Sequence, residues 1–353
     1  MPSAARPPLQ SSPMTARLSD IATHAGVSEA TVSRVLNGKP GVSAATRQSV
    51  LAALDLLGYE RPTRLRRRSA GLVGLITPEL DNPIFPAFAQ VIERSLTQRE
   101  FTAVLCTQTP GGTTEDDFTD LLLERGVVGI IYVSGMHADT TAGVERYAKV
   151  TGQGVPAVMI NGYAEGVDAP FISCDDRLAM RLAVSHLVEL GHQRIGLLSG
   201  PRRFTPVIRK IEGFTRAMAD LAGVGESELL VENTLFSFEG GAAAARSLLD
   251  RGATALVCGS DLMALGAMDA ARERGLAVPH DLSVVGFDDS PLMAYTCPPL
   301  TTIRQPVRDM GLAAVRALLD ELNGIPAPRS EFVYRPELVV RGSTGAVPRP
   351  AAG

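Results

Sequence analysis

Leu18-Ser-Asp-Ile-Ala-Thr-His-Ala-Gly-Val-Ser28, continued by Glu29-Ala-Thr-Val-Ser-Arg-Val-Leu-Asn37, decides the architecture of the N-terminal region. Ile21, Ala22 and Ala25 recur at helical spacing and predict the inner face of a short helix. Ser19 is the expected cap, with Asp20 in the positively polarised first turn. Gly26 can take the left-handed conformation that stops the helix within two turns. Val27 then fills the corner, and Ser28 caps a second helix whose Val32, Val35 and Leu36 face inward. Two short helices about a Gly-Val-Ser corner form a helix-turn-helix. Beyond Asn37-Gly-Lys-Pro-Gly41, Ser43 caps a third helix carrying Val50, Leu54 and Leu57 at helical spacing and ended by Gly58. An ordinary three-helix bundle with a solvated face would share this pattern, so charge has to separate the two readings.

Charge does so. Residues 1–70 hold ten Lys/Arg and four acids, a net of +6, whereas the whole chain carries −4, leaving −10 for the rest. A basic head on an acidic body points to a polyanionic partner for the head alone. Glu29, Ala30, Thr31, Ser33, Arg34 and Asn37 lie outward on the second helix, a polar face with one long cation. Such a helix fits the major groove, where Arg reads guanine and small side chains touch thymine methyls. Ser19, Ser28, Thr31, Ser33, Ser43 and Thr46 suit phosphate contacts. Residues 1–16, rich in Pro, Ser and Ala, are expected to be a disordered tail and lack the apolar core of a secretory signal. Met14 is an alternative start.

Residues 18 to 59 resemble the DNA-binding domain of the LacI/GalR repressors, through the run Ile-Ala-x-x-Ala-Gly-Val-Ser-x-x-Thr-Val-Ser-Arg-Val-Leu-Asn. The resemblance implies that Glu29 and Ala30 hold the main base-reading positions. Thr31, Ser33, Arg34 and Asn37 would then share base and phosphate contacts. It also implies that residues 60–70 form a hinge helix on DNA, with Leu65 as a minor-groove wedge and Arg64, Arg66, Arg67 and Arg68 on phosphates. Counted from Tyr59, this hinge is about three residues short of the family pattern, and it lacks the Pro-Asn-x-x-Ala run.

From Gly71 onward the chain alternates short apolar runs with amphipathic stretches. Leu72–Ile76, Ala103–Cys106, Gly129–Val133, Ala157–Ile160, Ile195–Leu198, Ala255–Cys258 and Ser283–Phe287 read as buried parallel strands. Phe85–Gln98, Arg177–Leu190, Gly240–Leu249 and Leu262–Arg274 read as helices between them. The fold class expected is therefore an all-α helix-turn-helix head plus an α/β body of two lobes, with sites at the strand C-termini. The boundaries are 17–59 for the head, 60–70 for the hinge, 71–345 for the body and 346–353 for a tail. Pro78-Glu-Leu-Asp-Asn-Pro-Ile-Phe85, Asn161-Gly-Tyr163, Cys174-Asp-Asp176, Val284-Val-Gly-Phe-Asp-Asp289 and Pro299-Leu-Thr-Thr-Ile-Arg-Gln305 extend the family resemblance through this body. It implies a periplasmic-binding-protein type I fold, a homodimer or tetramer, a near-palindromic double-stranded operator and a small-molecule effector in the cleft. Carried over position by position, the effector contacts are Asn82, Phe85, Asn161, Ser260 and Asp288. Lys210, with Arg209 beside it, stands where the family has an arginine. Leu235 stands where it has a stacking aromatic, with Phe236 adjacent.

Other classes find little support. Cys106, Cys174, Cys258 and Cys297 are far apart, as expected of mostly buried, reduced thiols in the cytoplasm rather than a metal or redox site. No run of about 18 apolar residues suits a membrane span. The five histidines show no HExxH spacing, and neither a GxSxG elbow nor a GxxxxGK[ST] loop occurs. No catalytic residue, metal or cofactor is expected. His24 and His192 read as structural. A secreted solute-binding protein would share the body but not the basic head.

Overall fold

The computed structural model describes residues 17–36, 39–57, 59, 69–108 and 111–347. It divides into two compact units, residues 1–68 and 69–353. In the first, α1 (Leu18–Ala25), α2 (Glu29–Leu36) and α3 (Ala44–Leu56) enclose a small core. Ile21, Ala22, Val32, Val35, Val50 and Ala53 are buried there, ringed by Leu18, Ala25, Val27, Leu36, Leu54 and Leu57. Gly26 ends α1 with φ 64°, where an L side chain would be strained. The amide of Val27 then closes onto Ala22 O at 3.0 Å.

Ser28 caps α2 through the amide of Thr31 at 3.2 Å, and Ser43 caps α3 through Thr46 at 3.1 Å, as expected. Ser19 does not cap α1. The helix starts two residues earlier, capped at Arg17, because Asp20, at the third helical position, accepts from the backbone N–H of Arg17 at 2.8 Å. α3 ends at Leu56, and Gly58 lies outside the described residues.

The second unit has two six-stranded sheets. The first runs β11 (Glu331–Tyr334), β5 (Phe171–Cys174), β4 (Ala157–Ile160), β3 (Gly129–Val133), β1 (Gly71–Thr77), β2 (Phe101–Thr107), all parallel. The second runs β12 (Glu337–Val339), β10 (Thr301–Arg304), β9 (Ser283–Asp288), β8 (Ala255–Cys258), β6 (Ile195–Ser199), β7 (Leu230–Asn233), with only β12 antiparallel. Helices α4 (Ile84–Thr97), α5 (Glu115–Glu124), α6 (Glu145–Gly152) and α11 (Val307–Leu322) pack on the first sheet or on its helices. α7 (Asp176–Glu189), α8 (Thr205–Ala217), α9 (Phe238–Asp250) and α10 (Asp261–Glu273) belong to the second.

Every residue of β3, β4, β5, β6, β8 and β9 is buried, the signature of parallel strands covered on both faces. The chain passes between the lobes three times: from β5 to α7, from β10 to α11, and from β11 to β12. No helix among the described residues is long and apolar enough to cross a membrane. Cys106, Cys174 and Cys258 are buried and Cys297 is exposed, all as free thiols. His192 is structural, bridging Thr254 Oγ1 at 2.9 Å and Ser283 Oγ at 3.0 Å.

Candidate functional site

The residues singled out from the sequence fall on two surfaces, one on each unit. On the head, α2 buries Val32 and Val35 and turns Glu29, Ala30 and Arg34 fully outward, with Thr31 and Ser33 half-buried at its margins. Ser19, Ser28 and Ser43 are exposed at or near helix starts, and Thr46 is half-buried. The hydroxyls pair locally, Ser28 with Thr31 at 3.0 Å and Ser43 with Thr46 at 2.8 Å. This holds a row of hydroxyls beside unspent backbone N–H groups, an arrangement suited to phosphate oxygens. Asn37, Arg64, Leu65, Arg66, Arg67 and Arg68 lie outside the described residues.

On the body, a cavity of about 210 Å³ opens between the lobes at the C-terminal ends of their strands. The loop after β1 brings Pro78, Glu79 and Asn82, and the first turn of α4 adds Ile84 and Phe85. Ser134 follows β3 and Asn161 follows β4. The second lobe supplies Phe204 ahead of α8, Phe236 ahead of α9, Ser260 at the cap of α10, and Phe287 with Asp288 at the end of β9. Gln305 enters from the β10–α11 crossing. Four phenylalanines thus wall a pocket whose polar atoms are few and converge, the usual make-up of a small-molecule site.

Phe236 reaches this wall because Gly200 yields. A Cβ at Gly200 would stand 2.0 Å from Cε2 of the Phe236 ring. Asn161 and Asp288 turn their side chains from positive-φ backbone, 62° and 121°. Non-glycine residues seldom hold such angles without packing to enforce them. Ser260 Oγ accepts from the amide of Met263 at 3.3 Å, which leaves its O–H free to donate.

The electrostatics are set by burial. Asp288 accepts from Gln305 Nε2 at 2.7 Å, and Asn82 of the opposite lobe lines the same cavity. Burial, then the neighbouring Asp261, hold its carboxyl well above the usual range. Asp261 is itself pushed up to about 6 by burial, opposed by hydrogen bonds from Thr302 at 2.6 Å and Ser290 N at 2.7 Å. Lys210 pairs with Asp176 and lies 3.8 Å from the centroid of the Phe287 ring. Burial raises the Asp176 carboxyl, against the attraction of Lys210.

The lobes are also latched at the cavity mouth. Thr140 N donates to Arg203 O at 2.8 Å, and Arg203 Nε donates to Asp139 Oδ2 at 2.7 Å.

Of the residues expected from the sequence, Asn82, Phe85, Asn161, Lys210, Phe236, Ser260 and Asp288 all line this cavity. Arg209 does not. One residue along α8 from Lys210, it turns away and binds Glu331 of β11 through two bonds of 2.6 and 2.8 Å, fastening the two lobes instead. Leu235 is 67% exposed, so Phe236 supplies the aromatic wall. Sequence reasoning missed Asp176, Phe204, Phe287 and Gln305. Asp176, Phe287 and Gln305 stand inside the motifs of the family resemblance, beside strand ends, and only the strand-end rule of α/β folds could have singled them out. Among the described residues, no three or more His, Cys, Asp and Glu side chains form a group that could hold a metal ion.

Comparison with known proteins bears on both surfaces. Residues 17–62 match the lacI family of bacterial regulatory proteins, and residues 184–344 match a periplasmic binding protein-like domain. The HTH-type transcriptional regulator reg1 of Streptomyces lividans is 66% identical over 339 residues, 95% of this chain and 98% of that one. Among solved structures, the complex of the transcriptional regulator CelR with cellobiose has a TM-score of 0.69 at 31% identity, covering 93% of this chain and 99% of the other. The lac repressor dimer bound to operator and the anti-inducer ONPF has the same score and identity, covering 94% and 100%. These regulators share both units with this protein in the same order, a DNA-reading head followed by a two-lobed body. The chain is a DNA-binding transcriptional regulator, and it belongs to the lacI family.

Proposed function

We propose that the protein is a repressor that grips a near-palindromic operator as a homodimer and releases it when a sugar or related small metabolite fills the cleft. The observation that carries this reading is the convergence of both lobes on one cavity. Asn82 and Asn161 come from the first lobe, Ser260 and Asp288 from the second. A hydroxylated ligand bonded to both is worth more when the lobes are closed, and that difference is what can shift an equilibrium. Coupling of this kind typically amounts to ~1–3 kcal/mol. Asp288, tied to Gln305, keeps oxygen atoms to accept from or donate to adjacent hydroxyls. The phenylalanines offer faces for the C–H side of a sugar ring. The relatives solved with an anti-inducer and with cellobiose support this assignment by analogy.

On DNA, two heads would occupy successive major grooves, with Glu29, Ala30, Thr31, Ser33 and Arg34 toward the bases. Leu65 is assigned the central minor-groove wedge, and Arg64 and Arg66 phosphate contacts. Such work on the chromosome is done in the cytoplasm. The test is a gel shift on DNA from the protein's own promoter at two salt concentrations, with sugars titrated in. Binding should fall steeply with salt, and at least one sugar should release the DNA. No binding at low salt refutes the regulator. Binding that no sugar or nucleoside alters refutes the effector.

A further inference from the structure

Among the described residues that line the cleft, Lys210 is the one cation, and it is already spoken for. It is 4% exposed, its ammonium is paired with Asp176, and Phe287 covers it. Wherever the proton of that pair rests, the two groups together carry no net charge. The other titratable side chains in the lining, Glu79 and Asp288, are acids. Arg209 is held by Glu331 outside the lining.

Helix N-termini would otherwise attract an anion, but those of the lining elements are largely occupied. Asp175 accepts from Leu178 N at 3.0 Å on α7, and Ser260 accepts from Met263 N at 3.3 Å on α10. Asn82 accepts from Ile84 N at 3.3 Å on α4, and Pro206 removes one donor from α8. A phosphate or carboxylate bound against this lining would find no cation left unpaired to compensate its charge, and an uncompensated charge in a partly dry site is strongly unfavourable.

We propose that Asp176 is the residue that restricts this cleft to uncharged ligands, by neutralising the one cationic side chain in its lining. The proposal rests on the cleft being the effector site, and it assigns to Asp176 a role in specificity. Removing that carboxylate should turn Lys210 into an anion receptor.

The test uses calorimetric titration of the full-length chain with inorganic phosphate as probe, in wild type, Asp176→Asn and the double variant Asp176→Asn/Lys210→Met. Wild type should show no saturable binding. Asp176→Asn should bind at least about tenfold more tightly, and the double variant should lose that gain. A folded Asp176→Asn protein that ignores phosphate overturns the proposal, as does a wild type that binds phosphate equally well. A second arm needs no variant. Wild type is titrated with glucose against glucose 6-phosphate and ribose against ribose 5-phosphate. Phosphorylated forms binding as well as their parents overturn the proposal even if Asp176→Asn fails to fold. If phosphate gain appears but no uncharged compound alters operator binding, the charge rule stands and the effector reading falls.

Discussion

Replacing Lys210 by Met should destabilise the body severely, and more so at high pH. The substitution leaves the Asp176 carboxylate, 5% exposed, without its cation. Breaking a buried pair from one side costs ~3–5 kcal/mol, because the surviving charge is neither hydrated nor compensated. Part of the loss can be recovered by proton uptake. Burial already raises the Asp176 carboxyl, and Lys210 is the largest influence opposing it. Without Lys210, the folded-state value rises further above that of the unfolded chain. The folded state then binds the proton more tightly, so the deficit is smallest below the unfolded value and grows as pH climbs through the folded one. Urea unfolding of wild type, Lys210→Met and Asp176→Asn/Lys210→Met, followed by circular dichroism at about pH 5 and about pH 8, measures this. The single variant should lose most at the higher pH, and the double variant should regain much of the loss. A single-variant deficit below ~1 kcal/mol, or one equal at both pH values, would refute the reasoning.

Four further outcomes are expected. Arg34→Ala should weaken operator binding by ~1–3 kcal/mol and relax discrimination at one base position; titrations against single-base operator variants would show unchanged selectivity if the side chain reads no base. Asp288→Asn should blunt release of DNA by ligand while operator affinity in its absence stays nearly intact, and an undiminished response would place Asp288 outside the contact. Gly200→Val should drive the Phe236 ring from the cavity wall, given the 2.0 Å approach of a Cβ at Gly200; ligand affinity measured by calorimetry should fall, and wild-type affinity would contradict the placement. Arg203→Ala should weaken ligand binding only slightly, by ~0.2–1 kcal/mol, since its side chain is 51% exposed and the backbone bond to Thr140 survives; a larger loss would show the latch to be a major closure contact.

The parts of the fold most legible from sequence were those where local chemistry and tertiary packing agree. Gly129–Val133, Ala157–Ile160 and Ala255–Cys258 are strands with the bounds that their apolar runs predict, because both faces are buried. β5 is equally buried, but Ser173 interrupts its apolar run. β7, β11 and β12 stand at sheet edges or close to them and carry Glu232, Glu331 and Glu337, so burial leaves little imprint on their composition. The head was legible almost residue by residue, the exception being Ser19, where Asp20 won the competition for the first free amide.

In the cleft, loop positions could be carried over from motifs, but the facing of neighbouring helix residues could not. Arg209 and Lys210 are both long cations. A turn of about 100° along the helix sends one to the cavity and the other to Glu331. The pairing of Lys210 with Asp176 joins residues 34 positions apart and has no local signature.

The triple passage of the backbone between the two sheets has a genetic corollary. The first lobe is assembled from residues 69–174 together with 307–334, and the second from 176–304 together with 337–347. Neither half is a contiguous piece of the gene. A premature stop anywhere before β11 removes an edge strand from both sheets at once, so the halves can be neither inherited nor truncated one at a time.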